Sequence, residues 1–334
     1  MVTDTAQPRI HFTYRHIDAP WGGANNFIRA LRTEMQQSGE FVFADSPESP
    51  CDIIFMNQLG TGPGGAGKRH TLADVRRWKD MGKRIVVRAV NLNAHAFRLG
   101  FRNLTIGRWQ DRQTIALLNL ADWVIFQSEY QLRVFRKAGY LGNRNQVIHN
   151  GAPPIFWIER PQAPPSDGTL RLVSSTASPR PTKRHDLIAK LSLCNDVEVS
   201  HMGAWPKNIP TAKVRLLGTL KHSEMINELS RSHYFLHAAI KDPCPNSVFE
   251  AVCAGLPVIF NNGPGSSAEI VGPCGLALDE SDIFFAVSEA RRRVTELRAT
   301  VLVKRNSFTI QHAAAKYLRA FGRVMNMAEK PQYT

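Results

Sequence analysis

Residues 241–269 read KDPCPNSVFEAVCAGLPVIFNNGPGSSAE, and few folds accommodate that punctuation. Pro243 and Pro245 keep the lead-in irregular, because proline fixes φ and donates no hydrogen bond. Asn246 and Ser247 are good helix-capping types. Val248, Phe249, Val252 and Cys253 then recur at helical spacing. Gly255 closes the helix and Pro257 follows it, the usual pairing at a helix C-terminus. The apolar run 257–260 reads as a buried strand, and a polar, Gly-containing turn over 261–267 leads to Glu269. Loop, helix and buried strand in immediate succession form the repeating unit of a parallel α/β sheet.

Two carboxylates flank the helix start. Asp242 lies in the loop before it and Glu250 inside its first turns. Between them a helix N-terminus offers unpaired N–H groups and the positive end of the dipole to an anion. Phosphate on the N–H groups and hydroxyls on the carboxylates is the pairing a nucleotide sugar presents. An ordinary strand–loop–helix crossover would share the helix and the strand but has no need of the two carboxylates.

The stretch resembles the E-x7-E region of retaining GT-B glycosyltransferases like those of glycosyltransferase family 4. There the motif is followed by a small-residue helix, a C-G-x-P-V-like turn into a strand, and a G-G-x-x-E turn. Here stand Asp242 and Glu250, then Ala254-Gly255-Leu256-Pro257-Val258, then Gly265-Ser266-Ser267-Ala268-Glu269. Asp242 keeps the first carboxylate one methylene shorter. Ser266 replaces the second glycine, which matters only where that backbone needs φ > 0.

At 334 residues the chain is long enough for about two domains. Its five cysteines (Cys51, Cys194, Cys244, Cys253, Cys274) form no C-x-x-C pair and sit mostly among apolar residues. That argues for reduced thiols and against a disulfide framework or a zinc site. The N-terminus lacks a signal-peptide pattern, and no apolar run reaches the length of about 18 that a membrane span requires. The net charge is +14, with twelve Lys/Arg over 68–112 against Asp74, Asp80 and Asp111. Such a face attracts an acidic partner, whether anionic lipid, saccharide or DNA, or simply keeps the protein soluble.

From the N-terminus, a strand over 9–15 and a Gly-containing loop over 19–26 lead into a helix over 27–37. The run Pro20-Trp21-Gly22-Gly23-Ala24-Asn25-Asn26-Phe27 resembles the first loop of the same glycosyltransferases, which implies that Gly22 and Gly23 let the backbone approach donor phosphate or sugar. Gly62-x4-Gly67-Lys68 is spaced like a P-loop, but Arg69 stands where a Ser or Thr would hold Mg²⁺. We read it as a loop with spare N–H groups. A helix over 72–81 and a strand over 84–90 precede a polar loop over 91–105; the resemblance implies a His or Asp near the reacting sugar here, and His95 is the nearest candidate. A lone loop histidine is as readily explained by simple exposure. Next come a helix over 113–120, a strand over 121–128 and a helix over 130–138. The succession AD-x-V-I-x-x-S…V-I-x-N-G at 121–151 resembles the close of the family's N-terminal domain.

Five prolines over 152–168 mark a linker. A second alternation of strands and helices follows, which predicts two doubly wound units with ligands at the carboxyl ends of their strands. After its first strand comes TASPRPTKR, residues 176–184. The resemblance implies a basic pair here, with Lys183 in the family's lysine position, Arg184 replacing a glycine and Arg180 supplying the second cation. Either cation would offset charge on a leaving diphosphate, whereas a solvated turn would carry them by chance.

The expectation is an α/β GT-B protein with two Rossmann-like doubly wound domains facing a central cleft. The N-terminal domain covers 1–152, a linker 153–168 and the nucleotide-sugar-binding domain 169–310. A helix over 311–334 crosses back to the first domain. The resemblance implies transfer of a sugar from a nucleotide-diphosphate donor with retention, without an obligatory metal or other cofactor. Asp242, Lys183, Arg180 and His95 would act at the reacting centre. Glu250, Gly22, Gly23, Asn246, Ser247, Val248, Arg184 and Glu269 would hold the donor. The acceptor side is expected to take an acidic partner, an anionic membrane surface or saccharide, or DNA. The location is expected to be cytoplasmic, with an option for the inner membrane face. The competing readings are a DNA-base glycosyltransferase, a non-catalytic sugar-nucleotide-binding scaffold, and an NTPase built on 62–68.

Overall fold

The computed structural model describes residues 7–17, 22–59, 69–93, 101–161 and 167–327. Among these the chain forms two compact units. One comprises residues before 149 together with the C-terminal segment from 313; the other comprises 149–312.

The first unit runs β1 (Arg9–Phe12), α1 (Gly22–Ser38), β2 (Val42–Phe43), β3 (Ile53–Asn57), α2 (Leu72–Asp80), β4 (Arg84–Arg88), α3 (Phe101–Leu120), β5 (Trp123–Phe126), α4 (Glu129–Lys137) and β6 (Asn145–Val147). Its six strands are parallel in the order β2-β1-β3-β4-β5-β6. Capping chemistry starts two of its helices. Thr71 and Asp74 form a reciprocal capping box on α2, and Ser128 accepts the Gln131 N–H at the start of α4. Alternate strand residues serve the two faces of the sheet. Ile54, Met56, Ile85, Val87, Val124 and Phe126 pack with Val75, Trp78, Leu117, Leu118 and Phe135 from α2, α3 and α4.

Two expectations shift here. Gly22 and Gly23 open α1 instead of preceding it in a loop. Helix α3 starts at Phe101, twelve residues before the apolar pattern begins at Gln113. Ahead of it Phe101, Leu104, Ile106 and Trp109 spread over the helix circumference without forming one apolar stripe, so the period is not seen in the sequence. The glycine-rich segment 62–68 and His95 lie outside the described residues.

The second unit runs β7 (Leu170–Thr176), α5 (His185–Leu191), β8 (Val197–Gly203), β9 (Arg215–Gly218), α6 (His222–Ser230), β10 (Tyr234–His237), α7 (Asn246–Cys253), β11 (Val258–Asn261), α8 (Ser267–Val271), β12 (Gly275–Leu278) and α9 (Ile283–Lys304). The strand order is β12-β11-β10-β7-β8-β9, again all parallel. Two cores sandwich the sheet. Leu170, Leu172, Tyr234, Leu236 and Ile259 pack with α5 and α9, while Val173, Phe235, Val258 and Phe260 pack with α7. Near-continuous apolar strands are what burial on both faces requires. Residues 153–161, part of the stretch read as a linker, belong to this unit. Pro154–Phe156 form a 3-10 turn, and Phe156 is buried in the core beside α7.

The last helix, α10 (Ile310–Met325), supplies the remaining face of the first sheet. Tyr317 and Phe321 meet Phe55 edge-on at 5.9 and 5.4 Å, and Tyr317 meets Phe27 at 5.8 Å. Among the described residues no helix is long and apolar enough to cross a membrane.

Candidate functional site

The second sheet reverses its winding between β7 and β10. The chain moves outward from β7 through β8 and β9, then returns to β10 and builds the other way. Loops leaving neighbouring strands diverge at such a point, and ligands bind at the carboxyl edge there.

The loop after β7 ends in the 3-10 turn Pro181–Lys183. The Lys183 ammonium donates to Asp242 Oδ2 at 2.8 Å, from the loop after β10. The Ile240 N–H bonds the Thr182 carbonyl at 2.9 Å and pins the two loops together. Asp242 is fixed from other sides as well. Its Oδ1 accepts the Cys244 N–H at 3.2 Å, and its carbonyl accepts the Ser266 hydroxyl at 3.0 Å and N–H at 3.1 Å. Burial pushes the Asp242 carboxyl up, but the charges of Lys183 and His237 and the hydrogen bonds from Lys183 and the Cys244 N–H outweigh it and hold it below the ordinary range.

Helix α7 begins at Asn246, with Pro245 in the capping position and no side-chain cap. This corrects the reading of Asn246 and Ser247 as caps. Asn246 is already helical, and its Oδ1 accepts from Asn150 Nδ2 at 2.7 Å. The Val248 N–H bonds the Pro245 carbonyl at 3.1 Å. The first turn contains no acidic residue, so nothing on the helix itself offsets the positive end of the dipole. One turn on stands Glu250. Burial with no neighbouring charge to offset it pushes its carboxyl up to about 7. Glu269 sits in the short helix α8, not in a turn, and its Oε1 pairs with His149 Nε2 at 2.9 Å.

The remaining basic residues divide. Arg180 is exposed at the start of the 3-10 turn. Arg184 pairs with two carboxylates. Its Nε and Nη2 bond Asp186 at 2.8–3.1 Å, its Nη2 bonds Glu280 Oε2 at 2.6 Å, and its Nη1 bonds Glu280 Oε1. Its backbone is left-handed, φ 53 and ψ 49, a conformation costing an L side chain roughly 1–2 kcal/mol. That geometry accounts physically for a glycine at this position in the family the sequence resembles.

Sequence reasoning missed several members of the site. His237, at the end of β10, is 5% exposed, and burial lowers it to about 4 against the pull of Asp242. His149 and Asn150 come from the N-G turn, whose only sequence signal was the turn itself. Glu280 and Asn261 left none. The predicted residues Asp242, Lys183, Asn246, Glu250 and Glu269 share one edge of the second unit with them. Gly22 and Gly23 belong to the first unit. The site in the second unit thus combines an ion-paired lysine, an uncapped helix N-terminus and a carboxylate without a counter-charge. It suits a ligand that carries both anionic groups and hydroxyls.

No protein-family model matches the chain, and no curated protein matches it in sequence. Solved structures do match its fold. HepE of Anabaena, solved in complex with UDP and glucose, has a TM-score of 0.64 at 16% identity, covering 95% of this chain and 100% of that one. Sucrose-phosphate synthase from Thermosynechococcus elongatus has 0.61 at 13% identity, covering 96% of each. WaaG, a glycosyltransferase involved in lipopolysaccharide biosynthesis, has 0.53 at 16% identity, covering 93% of this chain and 95% of that one. The architecture is therefore the GT-B fold anticipated from the sequence.

Proposed function

We propose that this chain is a glycosyltransferase that moves a sugar from a nucleotide-diphosphate donor to an acceptor. The observation that carries this reading is the Lys183–Asp242 pair at the switch point, beside the uncapped start of α7 and Glu250. A similarly folded protein, HepE, was solved with UDP and glucose, which supports a uridine nucleotide as the first donor to try.

In this reading Lys183, Arg180 and the α7 N-terminus offset the charge that develops on the departing diphosphate, the electrostatic requirement of the reaction. Asp242 accepts hydroxyls of the transferred sugar and Glu250 those of the ribose. Both bind as acceptors, so a hydroxyl bond to Glu250 favours its ionised form and donor binding releases a proton near neutral pH. Holding donor and acceptor in register supplies the rest of the rate. We further propose retention of configuration without a protein nucleophile or an obligatory metal, and an anionic acceptor drawn to the basic first unit.

A thermal-shift screen with UDP, GDP, TDP, ADP and their sugars, with and without Mg²⁺, tests this. A ligand at a hundred times its Kd adds about 2.7 kcal/mol of stability, well within detection. The expected result is a shift with one diphosphate regardless of metal, followed by transfer or slow hydrolysis of its sugar. No shift with any of them, and no donor hydrolysis, would overturn the reading.

A further inference from the structure

We infer that Arg184 is a positioning residue that works through Glu280, and not a ligand for the diphosphate. This inference rests on the donor site proposed above and assigns one of its cations a different task. Arg184 lies between the 3-10 turn that carries Lys183 and the first turn of α5, and its carbonyl accepts the Leu187 and Ile188 N–H groups. The chain reverses there through a left-handed residue, φ 53. Glycine would take that conformation freely, whereas a side chain must be held in it.

The hold comes from two carboxylates. Asp186, in the first turn of α5, and Glu280, just past β12, together occupy Nε, Nη1 and Nη2. Bidentate pairing of this kind fixes a guanidinium in both direction and plane. Glu280 is anchored in turn. Its Oε1 also accepts Asn261 Nδ2 at 2.8 Å, and Asn261 bonds the Ala238 carbonyl at 3.0 Å and the Gly263 N–H at 2.8 Å. The network therefore ties together the chain leaving β7, β10, β11 and β12 on the side of the sheet edge where Lys183 meets Asp242. A phosphate approaching Arg184 would have to displace two carboxylates and then sit beside them. The physical role left to Arg184 is to lock the turn that aims Lys183.

The two roles give opposite predictions for Glu280. If Arg184 positions, Glu280→Ala and Arg184→Ala break one unit. Each then weakens UDP-glucose binding by about tenfold, as a misplaced turn does. The double variant is no worse than either single one, and Arg184→Lys, which keeps the charge, recovers part of the loss. If Arg184 were an anion ligand, Glu280→Ala would leave affinity unchanged or raise it, because the guanidinium would be released toward the phosphate. That result would overturn the inference.

Amide hydrogen exchange read on the same proteins without ligand separates this question from the donor reading. Both single variants are expected to speed exchange equally over residues 180–188 while leaving the core strands protected. If UDP-glucose and the other nucleotide sugars fail to bind even the unsubstituted protein, the donor reading falls, and equal loss of protection still supports the lock. Unchanged protection in Glu280→Ala would refute it whatever the ligand.

Discussion

Glu250→Gln is expected to stabilise the protein at alkaline pH while weakening its site. Glu250 is partly buried in α7 with no charge to offset it, and its carboxyl rises from the ordinary 4.5 to about 7. The folded state therefore holds this proton more tightly than the unfolded chain. The stabilisation is complete below the unfolded value and is lost as pH rises through the folded one. A displacement of that size corresponds to roughly 3 kcal/mol. Partial exposure of the residue brings the expected loss to about 2 kcal/mol. Glutamine has the same shape and stays neutral. The two proteins should then be equally stable near pH 3.5, below the unfolded value, with the variant ahead by about 2 kcal/mol near pH 8.5. Urea unfolding of both proteins across this range provides the assay, because every other titration cancels in the difference. On the same samples the variant should bind its nucleotide sugar more weakly, each lost charge-assisted hydrogen bond costing about 1.5–3 kcal/mol. A stability difference that does not change with pH, or a wild type that is the more stable at alkaline pH, would refute the placement of Glu250 as an uncompensated carboxylate.

Other consequences are open to direct measurement. Lys183→Ala leaves Asp242 without its cation, and Asp242→Asn removes the negative charge and replaces one acceptor oxygen by a donor. Each is expected to lower kcat by about 10²–10³, the usual effect of deleting one electrostatic contact to developing charge, with donor turnover as the readout. Gly203 has φ 105, and a Cβ there would run into the Thr176 carbonyl. Gly203→Ala should cost about 2–3 kcal/mol in chemical unfolding. His201 is fully buried, with Nδ1 at 2.8 Å from the Ser174 hydroxyl, and burial lowers it to about 4. Its contribution is complete above the unfolded value near 6.5 and is lost as pH falls toward 4. His201→Gln should therefore flatten the acid limb of the stability curve by up to about 3 kcal/mol between those limits.

The α/β class and the run of elements were readable because buried parallel strands and amphipathic helices impose different apolar periods. The strand at Val258–Asn261 lies within one residue of the expected bounds, and the helix at Asn246–Cys253 begins at the residues expected to cap it. Helix α3 failed that reading over its first half, because Phe101, Leu104, Ile106 and Trp109 do not recur on one helical stripe. The start of α1 failed because Gly22 and Gly23 are poor helix formers by propensity, yet they open a helix whose Phe27, Ile28, Leu31 and Met35 are buried. In the site, Asp242 and Glu250 were legible because both flank one helix start. Glu280 and His237 were not, because each joins the candidate site only through partners from other strands.

By itself the sequence determined which residue types stand at each strand end: the paired carboxylates around one helix, the basic turn after β7, the Gly-x-Pro entry into β11. Those are local facts, set by spacing along the chain. Only the tertiary structure decided how they are used. The switch between β7 and β10 brings Lys183 onto Asp242 across 59 residues, and His149 reaches Glu269 across 120. Burial of α7 in the fold strips water from Glu250, with no charge to offset it, and raises its pKa. Arg184, itself left-handed in backbone, meets Glu280 across 96 residues. Desolvation and pairing depend on what the fold places within a few ångströms, and spacing along a chain does not specify that.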